Sequence, residues 1–238
     1  MSDEVASEFL ARGEADTRRL GECLAAAVAP GPAGGAARRR AAVIAIEGEL
    51  GAGKTRLVRG IAGGLGADGG AVASPTFVLC VEHAAADGVR LAHLDAWRIR
   101  GEEDLATIGF EELLADPRAV LAIEWASRIA PALPTERIEV HIDHETDDSG
   151  AEVRRIHVVD RRADPAERER LRRALALFEP TAGGPRSSAC PVCRSPVAAD
   201  AATFPFCTSR CRMADLQRWF GGRYTISRPA ESDDELSD

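Results

Sequence analysis

The octapeptide Gly48-Glu49-Leu50-Gly51-Ala52-Gly53-Lys54-Thr55 has the glycine spacing, the lysine and the hydroxyl of a phosphate-binding loop. Its glycines let backbone N–H groups turn inward and form a nest for phosphate oxygens. A helix starting near Lys54 adds a favourable dipole. In this pattern Lys54 reaches the β- and γ-phosphates and the Thr55 hydroxyl can ligate Mg²⁺, so ATP with Mg²⁺ is the expected ligand. The nucleotide-binding residues are predicted to be Gly48, Glu49, Gly51, Ala52, Gly53, Lys54, Thr55 and Arg56. Lys54 is also the chain's only lysine, the other 29 basic residues being arginine. A site that needs a compact charge on a flexible stem does not accept a planar guanidinium. A glycine-rich turn that matches by chance is the bland alternative, and the strand-like run before the loop argues against it.

Hydrolysis needs a carboxylate near the metal and a group that orients water. Two acids stand at the ends of apolar runs: Asp95 after Val89–Leu94, and Glu124 after Val120–Ile123. Either could instead be an exposed strand-end acid. His93 is read as a satisfied strand histidine, with a ligand or a proton shuttle as the alternatives.

A second constellation lies near the C-terminus. Cys190-Pro191-Val192-Cys193 and Cys207-Thr208-Ser209-Arg210-Cys211 are two cysteine pairs with 13 residues between them. Four thiolates so spaced can close a tetrahedral Zn²⁺ site with no open position, which makes the zinc structural. A redox C-x-x-C is the alternative, and the second pair weighs against it. Cys23 and Cys80 stand alone among apolar neighbours and read as small buried hydrophobes.

These groups need a scaffold. Val43–Glu47, Phe77–Glu82, Val89–Leu94, Val120–Trp125, Ile138–Ile142 and Val153–Val159 read as strands. Several are continuously apolar, as strands covered on both faces are. Val5–Val28 carries apolar positions at helical spacing, Lys54–Leu65 reads as a helix after the loop, and Glu102–Leu114 as one or two short helices. The last two strands pair antiparallel through the turn at Asp147–Gly150, and Pro165–Phe178 is a charged helix. The fold class is α/β: a P-loop NTPase with a mixed, mostly parallel sheet, plus a small C-terminal zinc-ribbon-like domain. Predicted boundaries are 1–178 for the P-loop domain, 179–187 for a Pro/Gly linker, 188–228 for the zinc domain and 229–238 for an acidic disordered tail.

Composition sets limits. The chain has 238 residues, 45% hydrophobic and 29% charged, with a formal net charge of −8. That charge disfavours a chain-wide nucleic-acid surface. The longest apolar runs fall short of the ~20 residues of a membrane span, and the acidic N-terminus is unlike a signal peptide. The expected location is cytoplasmic.

Four blocks taken in order, Gly48–Thr55, Ser74-Pro75-Thr76-Phe77, His93-Leu94-Asp95-Ala96-Trp97-Arg98 and Ile123-Glu124-Trp125, resemble the TsaE family of bacterial ATPases. The start Glu14-Ala15-Asp16-Thr17 and the pair Gly64-Leu65-Gly66 also resemble it. The likeness covers roughly residues 8–160, with Trp97 and His83 standing where tyrosine is usual. It implies a role in making threonylcarbamoyladenosine beside the anticodon of some tRNAs. The implied partners are the threonylcarbamoyl transferase and its dimerisation partner, with tRNA met indirectly and no membrane. It also implies that Thr55 and Glu124 hold Mg²⁺, that Asp95 orients or deprotonates water, and that Thr76 senses the γ-phosphate. Trp125 would pack beside the site or in the core. A small P-loop kinase with a regulatory or nucleic-acid-binding ribbon is the alternative. A nucleotide-gated adaptor with vestigial hydrolysis is another, and the presence of both carboxylates weighs against it.

Residues 188–226 resemble YacG, a small zinc protein that inhibits DNA gyrase. The resemblance rests on the cysteine pairs, Phe204-Pro205-Phe206, Asp215-Leu216-Gln217-Arg218-Trp219 and Tyr224-Thr225-Ile226. It implies binding to the gyrase B subunit, with Phe204, Phe206, Leu216, Arg218 and Trp219 as the contact surface.

Overall fold

The computed structural model describes residues 5–30, 39–70, 72, 79–147, 150–178, 188–190, 192–197, 203, 206–211 and 213. The block Ser74–Phe77 with Thr76, the linker 179–187, the tail 229–238, and Phe204, Leu216, Arg218 and Trp219 lie outside the described residues. The chain divides into two compact units, Met1–Thr181 and Ala182–Asp238.

The first unit runs β1 (Val5–Ala11), α1 (Glu14–Val28), β2 (Ala42–Gly48), α2 (Lys54–Gly64), β3 (Cys80–Ala84), β4 (Arg90–Asp95), α3 (Glu102–Thr107), α4 (Phe110–Ala115), β5 (Ala119–Glu124), β6 (Ile138–Thr146), β7 (Glu152–Asp160) and α5 (Pro165–Ala176). Among its described residues, seven strands form one sheet in the order β1-β7-β6-β2-β5-β4-β3. The centre is parallel, β2 lying between β5 and β6 and β4 beyond β5. The edges are antiparallel, through β3 on one side and β7 and β1 on the other.

Strand β2 shows why its run is apolar without alternation. Ile44 and Ile46 enter the core packed with Leu20, Leu57, Ile61 and Leu171 from α1, α2 and α5. Val43 and Ala45 enter a second core with Leu105, Phe110 and Leu113 from α3 and α4. Both faces at the sheet centre are therefore covered, as parallel strands require. Gly109, with φ 64°, separates α3 from α4.

Val5–Ala11 corrects the sequence reading. It is a strand paired with β7, Phe9 lying opposite Ile156, and the helix begins only after Gly13. The residues alternate: Ala11 is fully buried, Phe9 packs edge-on against Phe178 at 5.2 Å, and Glu8 pairs with Arg155 on the opposite face. Alternation over so few residues merges with the helical spacing of Leu20, Leu24 and Val28, and the pairing partner lies far along the chain.

Helices α1 and α2 meet backbone to backbone. A Cβ built on Gly21 would fall 2.3 Å from the Leu57 oxygen, and one on Gly60 would fall 2.0 Å from the Arg18 oxygen. This contact seats α1 beside the helix that the phosphate loop opens into. From α5, Arg170 donates to the carbonyls of Ala26 and Ala29, satisfying acceptors that the end of α1 leaves free.

In the second unit, β8 (Ser188–Ala189) pairs antiparallel with β9 (Pro196–Val197). The turn between them is closed by Cys190 N–H to Ser195 O at 2.7 Å and Arg194 N–H to Cys190 O at 2.8 Å. Arg194 adopts φ 63° there.

Candidate functional site

The loop between β2 and α2 carries three positive φ angles, 145° at Gly48, 84° at Gly51 and 110° at Gly53. Side chains rarely adopt such angles, so glycine at these positions is a conformational requirement. Ala52 is fully buried and its N–H closes a turn onto Glu49 O at 3.1 Å, while Glu49 and Leu50 are exposed. Lys54 Nζ donates to Gly48 O at 2.7 Å and Glu49 O at 2.8 Å, and lies 3.7 Å from the Trp125 ring centroid. Burial lowers the Lys54 pKa, and the nearby charges of Glu124, Glu47 and Asp95 oppose that shift.

The two candidate acids come from adjacent parallel strands. Asp95 ends β4, Glu124 ends β5, and the two are direct register partners. Glu124 is 3% exposed, and its Oε1 accepts from Thr55 Oγ1 at 2.8 Å and from His93 Nε2 at 2.8 Å. Asp95 is half-buried, and its Oδ1 accepts from Trp97 N–H at 3.1 Å. Burial raises the Asp95 pKa above the ordinary carboxylate value; the Trp97 N–H opposes this and the Glu124 charge adds to it.

Trp125 follows Glu124 at φ 57°, an unusual angle for a bulky residue. The kink turns its ring over Lys54 and against Trp97, whose ring centroid is 4.8 Å away. Trp97 is 53% exposed and the Arg128 guanidinium lies 4.8 Å from its ring. The loop, α2, both acids and both tryptophans line an open cavity of about 660 Å³, within the usual range for small-ligand sites. Leu50, Arg59 and Arg98 also line it, and sequence reasoning had not singled them out for the site. Arg59 and Arg56 share Glu14 of α1, at 3.9 and 3.5 Å. The one sequence signal for Arg59 was its spacing, one helical turn after Thr55 on the same face.

The structure thus brings together Lys54, Thr55, Arg56, Asp95, Glu124 and the loop glycines. Thr76 lies outside the described residues. The donor set suits a hard cation. Cis ligands around Mg²⁺ at ~2.05 Å stand about 2.9 Å apart, close to the 2.8 Å between Thr55 Oγ1 and Glu124 Oε1.

The cysteines of the second unit also converge. The sulfurs of Cys190, Cys193, Cys207 and Cys211 all lie within 4.8 Å of one another. Cys193 Sγ is 3.3 Å from Cys207 Sγ, which is 3.6 Å from Cys211 Sγ. A Zn–S bond of ~2.3 Å gives a tetrahedral edge of about 3.8 Å, so the cluster fits zinc. Burial opposes ionisation of Cys190, but the N–H groups of Cys207, Cys193 and Val192 outweigh it and draw its pKa down to about 6. Cys23 and Cys80 are half-buried and bonded to no other cysteine, and burial raises both pKa values.

The fold and the loop define a P-loop α/β protein joined to a four-cysteine module. The chain belongs to the family of threonylcarbamoyl adenosine biosynthesis protein TsaE, whose description matches residues 11–156, and residues 188–237 match DNA gyrase inhibitor YacG. It is 38% identical over 118 residues to the tRNA threonylcarbamoyladenosine biosynthesis protein TsaE of Streptomyces coelicolor, spanning 49% of this chain and 78% of that one. It is 51% identical over 41 residues to the DNA gyrase inhibitor YacG of Caulobacter vibrioides, spanning 17% of this chain and 68% of that one. The crystal structure of Bacillus subtilis YdiB superposes with a TM-score of 0.52 at 22% identity, covering 74% of this chain and 98% of that one, and so shows the shared fold. The TsaE assignment displaces the kinase alternative. Among the described residues, no helix is long and apolar enough to cross a membrane.

Proposed function

We propose that the first unit binds and hydrolyses MgATP in support of tRNA threonylcarbamoyladenosine synthesis, and that the second is a structural zinc module that binds the gyrase B subunit and inhibits gyrase. The observation that carries the ATPase reading is the meeting of Thr55 and Glu124 at 2.8 Å beside the phosphate loop, with Asp95 next to Glu124 in register.

In this reading the loop N–H groups and Lys54 take the phosphates, and Thr55 and Glu124 hold Mg²⁺. When bound, Mg²⁺ neutralises charge on the β- and γ-phosphates. Asp95 orients the attacking water and accepts its proton, and its raised pKa suits a base. Thr76 contacts the γ-phosphate. Trp97 and Trp125 shield one wall of the cavity from solvent. Turnover resets a complex with the threonylcarbamoyl transferase and its dimerisation partner, and the tRNA is met through them. The gyrase-facing surface includes Phe206 together with Phe204, Leu216, Arg218 and Trp219.

The test is a paired measurement of ATP affinity and turnover, with the transferase partners present. Asp95→Ala should lower turnover about 100-fold or more, in the range of general-base removal, with ATP affinity within several-fold of wild type. Glu124→Ala should lower turnover and raise the Mg²⁺ requirement. Wild-type turnover in both variants would overturn the assignment. For the zinc module, direct binding of the full chain to purified gyrase B should be lost when Cys190 is changed to Ser.

A further inference from the structure

Three elements meet at one oxygen of Glu124. Helix α2 supplies the Thr55 hydroxyl, β5 supplies the carboxylate, and β4 supplies His93. His93 is fully buried, opposite Ala122 in the parallel ladder and two residues before Asp95. A carboxylate only accepts, so Nε2 carries the hydrogen and donates it.

An ordinary core histidine has both ring nitrogens satisfied. Here Nδ1 is buried and, among the described residues, has no hydrogen-bond partner. A leucine of similar size would fill the same space without burying an unpaired polar atom, so stability alone gives no account of a histidine in this position. Its Nε2 bond goes to the acid that lines the nucleotide cavity. A buried glutamate has three side-chain torsions, and Thr55 alone leaves the carboxylate free to swing when the threonine hydroxyl turns to another partner. The His93 donor comes from a neighbouring strand fixed in the sheet and does not depend on Thr55.

We propose that His93 is a positioning residue, holding the Glu124 carboxylate toward the metal site while Thr55 is engaged elsewhere. This rests on the reading of Glu124 as a Mg²⁺ ligand. Partners that orient a metal-binding carboxylate typically account for about 10–100-fold in metal affinity.

The experiment compares His93→Leu and His93→Gln in the full-length chain. For each, the Mg²⁺ concentration that half-saturates tight ATP binding is read from nucleotide titrations, alongside ATP affinity in EDTA and the melting temperature. His93→Leu should raise the half-saturating Mg²⁺ about 10–100-fold and leave metal-free ATP affinity unchanged. His93→Gln, whose amide N–H can reach Glu124, should recover most of that loss. A folded His93→Leu with the wild-type Mg²⁺ requirement overturns the proposal, as does a His93→Gln no better than His93→Leu. If His93→Leu does not fold, His93→Asn replaces it under the same criterion, because its shorter amide falls short of Glu124. Glu124→Ala is the control for the underlying reading. If wild type and Glu124→Ala share one Mg²⁺ requirement, the assignment of Glu124 fails. If only His93→Leu is indifferent, the role of His93 alone fails.

Discussion

Lys54 makes its three contacts, two loop carbonyls and the face of Trp125, with one small ammonium group. The three donors of that group can be exchanged one by one for phosphate oxygens, and the stem is long enough to follow them. An arginine fork is wider and planar, and the space beside Gly48 O and Glu49 O is closed by the Trp125 ring. Lys54→Arg and Lys54→Ala should therefore both weaken ATP binding by about 10–100-fold, the worth of a hydrogen bond to a charged group. Calorimetric titration of each variant with ATP is the measurement; wild-type affinity in Lys54→Arg would refute the point. Asp95 makes the opposite prediction, for stability. Burial raises its folded pKa, so the folded state holds its proton more tightly than the unfolded chain does. Stability is then lost as pH rises from the ordinary aspartate value of about 3.9 through the folded pKa. Asp95→Asn should melt higher than wild type at pH 7, and the gain should shrink as pH is lowered. The nucleotide loop and the cysteines were legible because each chemistry demands fixed residue types at short spacing, and Asp95 and Glu124 because each ends an apolar run. His93 was legible only as a strand residue, because its bond to Glu124 joins two strands that are neighbours in space and not in sequence.

Between α1 and α2 the sequence holds glycines where apolar side chains would ordinarily pack. Gly21 faces the Leu57 oxygen and Gly60 faces the Arg18 oxygen, both too near for a Cβ. Gly60→Ala should push the helices apart and destabilise the first unit by about 1–3 kcal/mol, the usual effect of overpacking. Because α2 starts at Lys54, the displacement should also reach the loop and weaken ATP binding. Urea unfolding and nucleotide titration of the same variant check both, and an unchanged unfolding midpoint would show that the contact yields freely. Element order, and the antiparallel hairpin of β6 and β7, followed from apolar runs and turn residues. The edge strand β1 did not. Its seven residues precede a helix with apolar positions of its own, and only the register with β7 shows which period applies. The parallel centre was legible from continuous apolar runs, since burial on both faces erases the alternation that marks an edge.

At the scale of the whole molecule the two units differ in what holds them. The first has two extensive apolar cores, one on each face of the sheet. In the second, Cys190 and Val197 are the buried apolar side chains among the described residues, and one is itself a candidate ligand. A unit so poor in core needs another source of stability, and structural zinc supplies an apparent 10–16 kcal/mol at about neutral pH in small zinc peptides. Chelation of the full chain should therefore abolish hydrogen-exchange protection around Cys190–Val197 and release zinc at one equivalent per chain. Cys190→Ser should reproduce the loss without chelator. The first unit, with its own cores, should keep its unfolding transition and bind ATP within about twofold of the untreated protein. That outcome follows if the two units are thermodynamically independent. The measurement is one calorimetric scan with ATP titration before and after chelation. A fall in ATP affinity, or a lower melting transition for the first unit, would show that the zinc module supports the nucleotide site and that the two activities are coupled within one chain.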